Sequence, residues 1–279
     1  MVCIELPPLT GLERSALLPV ISRARDAEWK TPILGDTWSV MVRDTLAVDW
    51  DELGLPYKEA YTVATRGRLL DDLCRDFLSR NPDGVVIELG SGLDDRAQRV
   101  DPPATATWLD LDFPALHALR RRLTPLRAVA AHHLDVASDA TGDIWLDVIP
   151  GGRPVAMVGD GFFPFLHAEQ SAQLVHRVVA QSPSGELLMN GYTTLARNLM
   201  PRVRAIRDLN LDITSGTAFD DPREPERWHP RLKLAERLML THSPYVKQMP
   251  LTLRASIKVM GWLPSLADRS DLGVLRYVF

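Results

Sequence analysis

The run Asn81-Pro82-Asp83-Gly84-Val85-Val86-Ile87-Glu88-Leu89-Gly90-Ser91-Gly92 constrains this chain more than any other stretch. Asn-Pro-Asp-Gly is turn chemistry. The residues after it are apolar and β-branched apart from one glutamate, and read as a short strand buried on both faces, as in a parallel sheet. Two glycines then close the strand. Glycine adopts backbone conformations barred to other residues and lets a ligand approach the main chain, and a helix that starts after it offers free N–H groups. A Gly-x-Gly pair alone is equally an ordinary strand end.

The surrounding pattern says what sheet this strand joins. Over 61–77 the apolar residues recur at three and four (Leu69, Leu70, Leu73, Cys74, Phe77), which is an amphipathic helix. Strands are expected at 106–112, 127–131, 154–158 and 186–189, and helices at 114–123, 144–149 and 167–179. Such alternation predicts a Rossmann-like α/β fold, with a mostly parallel sheet and helices on both faces. Residues 1–56 read as an N-terminal helical lid region, opened by a Thr10 to Glu13 capping box. Residues 57–279 then form the ligand-binding domain, with a helical, Pro- and Arg-rich insertion over 193–253 shaping a substrate pocket. The segment from Gly261 to Phe279 is expected to supply two closing strands.

Composition limits the partners. At 279 residues and 46% hydrophobic, the chain can bury a core without disulfides or a structural metal. A formal charge of -4 gives no whole-chain attraction to nucleic acid or an anionic membrane. Cys3 and Cys74 stand in no metal-ligand spacing, so no metal is expected. The first residues lack a basic stretch followed by an apolar run, and nothing approaches a membrane span, so the expectation is a reduced, cytoplasmic protein.

Asp110 and Asp112 follow the glycines by about 20 residues, the place from which dinucleotide folds hydrogen-bond ribose hydroxyls. Asp112, before Phe113-Pro114, equally suits a helix N-cap. The third glycine of the dinucleotide fingerprint is missing: position 95 is Asp, next to Asp94. A pyrophosphate tolerates such carboxylates poorly. A ligand with a cationic group and no phosphate suits the loop better, and S-adenosylmethionine is one.

Four blocks taken together resemble the leucine carboxyl methyltransferase family, in particular its polyketide O-methyltransferase branch. They are Ala64 to Asp72, Glu88 to Arg96, Trp108 to Pro114 and Asp160 to Leu166, within a likeness that covers roughly residues 9 to 190. The resemblance implies S-adenosylmethionine as cofactor, with Glu88, Gly90, Ser91, Gly92, Asp94, Arg96 and Phe113 around it. It implies that Arg66 holds the methionyl carboxylate in a bidentate pair, that Asp112 or Asp110 holds the ribose, and that Asp135 meets the adenine amine. Asp160 replaces the family's Glu, and Phe165 its Tyr, so one contact is a methylene shorter and one phenol is lost. The implied reaction is methyl transfer to a carboxylate or hydroxyl oxygen of a polyketide-like small molecule. Trp29, Phe165, Tyr192 and His167 are candidates for the acceptor side, and no residue is named as catalytic base. An NAD(P)-dependent oxidoreductase, a protein carboxyl methyltransferase and a non-catalytic relative are the competing readings.

Overall fold

The computed structural model describes residues 3–123, 133–261 and 273–279. Its first helix, α1 (Gly11–Arg14), opens on the expected capping box: Glu13 N donates to Thr10 Oγ1 at 3.3 Å, and Thr10 N donates to the Glu13 carboxylate at 2.8 Å. Two longer helices follow, α2 (Leu17–Ala27) and α3 (Thr37–Thr45), joined through Leu17, Val20 and Val42. Helix α4 (Glu59–Arg80) ends at Asn81, where the turn begins. Its buried face (Leu69, Leu70, Leu73, Phe77) lies against Val86 and Trp108 of the sheet.

From there strands and helices alternate: β1 (Val85–Leu89), α5 (Arg96–Val100), β2 (Thr107–Asp112), α6 (Pro114–Leu123), β3 (His133–Ala137), β4 (Val155–Gly159), α7 (Ala168–Gln181) and β5 (Gly185–Asn190). The chain continues through α8 (Thr194–Leu199), α9 (Arg204–Arg207), β6 (Lys233–Leu238), α10 (Leu251–Gly261) and β7 (Val274–Val278). The described strands form one sheet in the order β3-β2-β1-β4-β5-β7-β6. The first five run parallel, while β7 is antiparallel to both of its neighbours. Every residue of β1 is buried, Glu88 included, because helices cover both faces: α4 packs over Val86, and α7, through Leu174 and Val178, over the side of Val85 and Ile87. This is the Rossmann-like α/β arrangement the sequence predicts. The chain leaves β1 toward β3 on one side and returns to β4 on the other, so a crevice opens at the carboxyl end of β1.

Some expectations change. The strand expected at 127–131 lies outside the described residues, and the third strand is His133–Ala137. The insertion over 193–253, read as helical, carries β6. That strand is half-exposed at the sheet edge, so its charged residues Lys233, Glu236 and Arg237 hide the strand pattern. Among the described residues the closing antiparallel pair is β6 with β7; of the segment expected to supply two strands, Val274–Val278 forms β7 and residues 262–272 lie outside the described residues. Residues 144–149, expected as a helix, form a 3-10 turn at Ile144–Val148. No described helix is long and apolar enough to cross a membrane.

Candidate cofactor and acceptor site

A cavity of about 320 Å³ opens at the carboxyl ends of the strands. One wall comes from residues 88–94 after β1, 111–113 after β2, 138–140 after β3 and 160–162 after β4, with Tyr192 after β5. The opposite wall comes from α2 (Leu18, Pro19, Arg23) and α4 (Glu59, Thr62, Val63, Arg66), with Met200, Val203 and Ile206 closing the far side.

The glycine loop is held in a shape other residues resist. Gly90 has φ +63° and Gly92 φ +55°. A Cβ on Gly90 would stand 2.7 Å from Cδ2 of Phe162. Asp112 ties the loop to β2: Gly92 N donates to its Oδ2 at 2.5 Å and Phe113 N to its Oδ1 at 2.7 Å. Burial nevertheless raises the Asp112 pKa above the usual carboxylate value. Ser91 is buried on the same wall, and its Oγ has no hydrogen-bond partner among the described residues. A buried hydroxyl left so is costly unless a ligand completes it.

Beneath the loop lies an ion network. Arg96 is 0% exposed. Its Nε lies 2.9 Å from Glu88, its Nη1 2.5 Å from Asp71, and its Nη2 2.9 Å from Asp160 and 3.4 Å from Asp94. Arg99 adds contacts to Asp71, Asp94 and Asp36, and Arg23 to Asp94 and Asp36. Burial opposes charge on Asp94, yet Arg23, Arg99 and Arg96 hold its pKa well below the usual range. Glu88 goes the other way: burial, with Asp94 and Asp110 nearby, pushes it up to about 8 against the pull of Arg96.

Of the residues expected around a cofactor, Arg66, Glu88, Gly90, Ser91, Gly92, Asp94, Asp112, Phe113 and Asp160 all reach the cavity wall. Arg96 does not: it faces four carboxylates inside the protein and braces the loop from below. Arg66 reaches the wall already engaged. Its Nε lies 2.6 Å from Asp160, and its Nη1 donates to Tyr192 Oη at 3.1 Å. Nη2 makes neither an ion pair nor a hydrogen bond among the described residues, so the expected bidentate clamp gives way to a single free nitrogen. Asp110 is off the wall, buried under Arg120 (2.7 Å), His133 (2.7 Å) and Trp108 Nε1 (3.0 Å). Burial opposes its charge, but Arg120 and His133 draw its pKa down to about 2. Of the two aspartates, Asp112 is the one that lines the cavity. Asp135, which shares β3 with His133, pairs with His117 at 3.5 Å and is also off the wall. Asp110, His133 and Asp135 converge closely, and Arg120 supplies the positive charge there.

On the acceptor side, Phe165 and Tyr192 line the cavity. Trp29 does not: its ring stacks on Tyr61 with centroids 4.0 Å apart, and its Nε1 donates to Tyr57. His167 occupies the N-cap position of α7, with Nδ1 3.3 Å from Ser215 O. Sequence reasoning missed Arg23, Asp36, Asp71 and Arg99, which meet only through the tertiary fold. It also missed Glu59, Thr62 and Val63, which share an α4 stripe with Arg66, although the spacing of three and four was visible.

The comparisons with known proteins agree with this geometry. Residues 52–179 match the family model described as leucine carboxyl methyltransferase. The chain is 31% identical over 238 residues to the tetracenomycin polyketide synthesis O-methyltransferase TcmP of Streptomyces glaucescens, covering 85% of this chain and 86% of that protein. It is 29% identical over 252 residues to the S-adenosyl-L-methionine-dependent methyltransferase dpfgK of Gibberella zeae, covering 84% of each. A DUF574 family structure from Streptomyces avermitilis shares the fold at TM-score 0.56 and 16% identity over 95% of both chains. An acidic, glycine-turned crevice at the end of β1, and a relative of that similarity over most of both chains, place this protein in the leucine carboxyl methyltransferase family of S-adenosylmethionine-dependent methyltransferases.

Proposed function

We propose that this enzyme methylates an oxygen, carboxylate or hydroxyl, of a small, largely apolar acceptor of the polyketide type. The observation that carries this reading is the character of the cavity beyond the glycine loop. Leu55, Phe162, Phe165, Met200 and Ile206 line it, and α2 and α4 close over it. A concave cavity whose far side is lined by such apolar side chains suits an organic molecule better than a protein surface. TcmP is named for polyketide synthesis, which agrees with such an acceptor.

The residues present fit the cofactor. The unpartnered Ser91 Oγ, the Gly90 and Gly92 cradle and the wall carboxylates suit a cationic amino acid derivative. Asp112 would hold the ribose, Arg66 Nη2 the methionyl carboxylate, and the 138–140 turn would border the adenine. When bound, the cofactor supplies an activated methyl group on a sulfonium. The protein's own work is mostly positional. Asp112 and Arg96 fix the loop, Phe162 and Phe165 exclude water, and Tyr192, held by Arg66, presents its phenol to the cavity. Holding the two reactants in line supplies most of the rate enhancement such a displacement needs.

Calorimetry with S-adenosylhomocysteine, then transfer of a labelled methyl group to a panel of aromatic polyketides, tests the reading. Tight binding and an alkali-stable ether or alkali-labile ester product are expected. Failure to bind S-adenosylhomocysteine, or transfer to protein and to no small molecule, would overturn it.

A further inference from the structure

A second polar group stands beside the Arg66 nitrogen that meets the methionyl carboxylate, granted the methyltransferase reading above. On that reading the 138–140 turn after β3 borders the adenine, Asp112 after β2 holds the ribose, and the methionyl end lies toward β4, where Gly161 sits against Arg66 Nη2. Strand β5 is next in the sheet, about 4.8 Å on. Its end is tied to the end of β4, because Gly161 N donates to Asn190 Oδ1 at 2.6 Å. Tyr192 stands two residues beyond Asn190 and lines the same cavity. The main chain is pinned around it: Gly191 N donates to Gly273 O at 2.9 Å, and Phe219 N to Tyr192 O at 3.0 Å.

The phenol of Tyr192 is half used. Its Oη accepts from Arg66 Nη1 at 3.1 Å, and its own hydrogen donates to nothing among the described residues. A hydroxyl can accept and donate at once. Arg66 is partly used in the same way: Asp160 lies 2.6 Å from Nε, the phenol takes Nη1, and Nη2 is free. The two terminal nitrogens therefore cannot both grip one anion. What the cavity wall offers instead is a pair of neighbouring donors, one guanidinium N–H and one phenol O–H.

A carboxylate has two oxygens and binds best where two donors meet it. We propose that Tyr192 is a cofactor-binding residue, whose hydroxyl donates to one oxygen of the methionyl carboxylate while Arg66 Nη2 donates to the other. The second arm of the expected arginine fork is lengthened by one phenol, in a relay from Nη1–H to Oη–H to the carboxylate. A phenol that accepts from a guanidinium is polarised, and donates more strongly to an anion. Asp160 offsets part of the charge on Arg66, so the second donor matters more here than beside a free arginine. Tyr192, read from the sequence as an acceptor-side residue, thus moves to the cofactor.

Two ligands that differ only at the carboxylate test this. S-adenosylhomocysteine and its decarboxylated form, which ends in an aminopropyl chain, are titrated calorimetrically into wild type and Tyr192→Phe. Wild type is expected to prefer S-adenosylhomocysteine at least roughly tenfold. Tyr192→Phe is expected to lose at least roughly tenfold in affinity for S-adenosylhomocysteine, yet to bind the decarboxylated form within about twofold of wild type. Retained binding of the second ligand also shows that the variant is folded. A phenol that merely steered Arg66 would give the same pattern, so the crystal structure of wild type with S-adenosylhomocysteine supplies the deciding distance. Tyr192 Oη about 3 Å from a carboxylate oxygen is expected, and this measurement stands even if the variant does not fold. Oη beyond hydrogen-bond reach of the carboxylate would overturn the proposal. So would S-adenosylhomocysteine affinity unmoved or raised by Tyr192→Phe, or equal losses for both ligands from a variant that still unfolds cooperatively. Failure of wild type to bind S-adenosylhomocysteine would instead overturn the methyltransferase reading beneath it.

Discussion

Arg96→Met is the most demanding test of how the cofactor loop is held. Arg96 is 0% exposed and lies within 3.4 Å of four carboxylates from four different places in the chain: Asp71 on α4, Glu88 on β1, Asp94 in the loop and Asp160 after β4. It also donates to Gly67 O at 3.1 Å. Methionine fills similar volume and removes the charge. Glu88 and Asp160 then keep less cationic cover: Glu88 loses the arginine at 2.9 Å, and Asp160 is left with Arg66. Breaking a buried pair by removing one partner costs about 3–5 kcal/mol, because an uncompensated charge is left inside. In a domain of this size that corresponds to a fall in Tm of about 10 °C. The loss should depend on pH in a particular direction. A stranded carboxylate escapes the penalty by taking up a proton, which is easier in acid, so the difference between wild type and variant should be larger at pH 8 than at pH 5.5. Urea unfolding followed by tryptophan fluorescence at both pH values measures it. A loss below about 1 kcal/mol, of the size expected for an exposed pair, or a loss independent of pH, would refute the account of Arg96 as the brace of the loop.

Other consequences follow from the same site. Gly90→Ala should lose about 1–2 kcal/mol to the left-handed backbone alone, and it drives a Cβ to 2.7 Å from the Phe162 ring; calorimetry should find S-adenosylhomocysteine affinity down at least roughly tenfold. Burial raises the Glu88 pKa to about 8 from its ordinary 4.5. Its contribution to stability is therefore fully present below that lower value and is lost as pH rises through about 8. Glu88→Gln should flatten the fall in urea midpoint between pH 5.5 and 8.5. Tyr192→Phe removes the acceptor for Arg66 Nη1 and should cost about 1–3 kcal/mol for the stranded donor, read as a lowered unfolding midpoint.

Much of the fold is legible because its signals are local. The Asn81 to Gly84 turn, the apolar run of β1 and the Thr10 to Glu13 capping box each depend on neighbours within a few residues, and each appears where the sequence places it. β6 is the counterexample. Its Lys233, Glu236 and Arg237 belong to an edge strand exposed along one side, so composition argues against the strand, and pairing with β7 overrides it. The site divides in the same manner. Gly90, Gly92 and Asp112 are readable because loop chemistry and spacing name them, whereas Arg96 was read as a cofactor ligand from its place in the same block. Its direction toward the interior is set by Asp71 on α4, 25 residues earlier in the chain.

By itself the amino-acid order determined the alternating strands and helices, the glycine turn at the end of β1 and the acidic character of the loop, since each follows from backbone conformation and short-range charge. The tertiary structure alone decided which of those acids meet a ligand and which meet an arginine. Ion pairing depends on distances of a few ångströms between segments far apart in the chain. The packing of α2 and α4 against the strand ends sets those distances, and so it leaves Glu59 as an unpaired carboxylate on the cavity wall while Asp94 and Asp160 are neutralised.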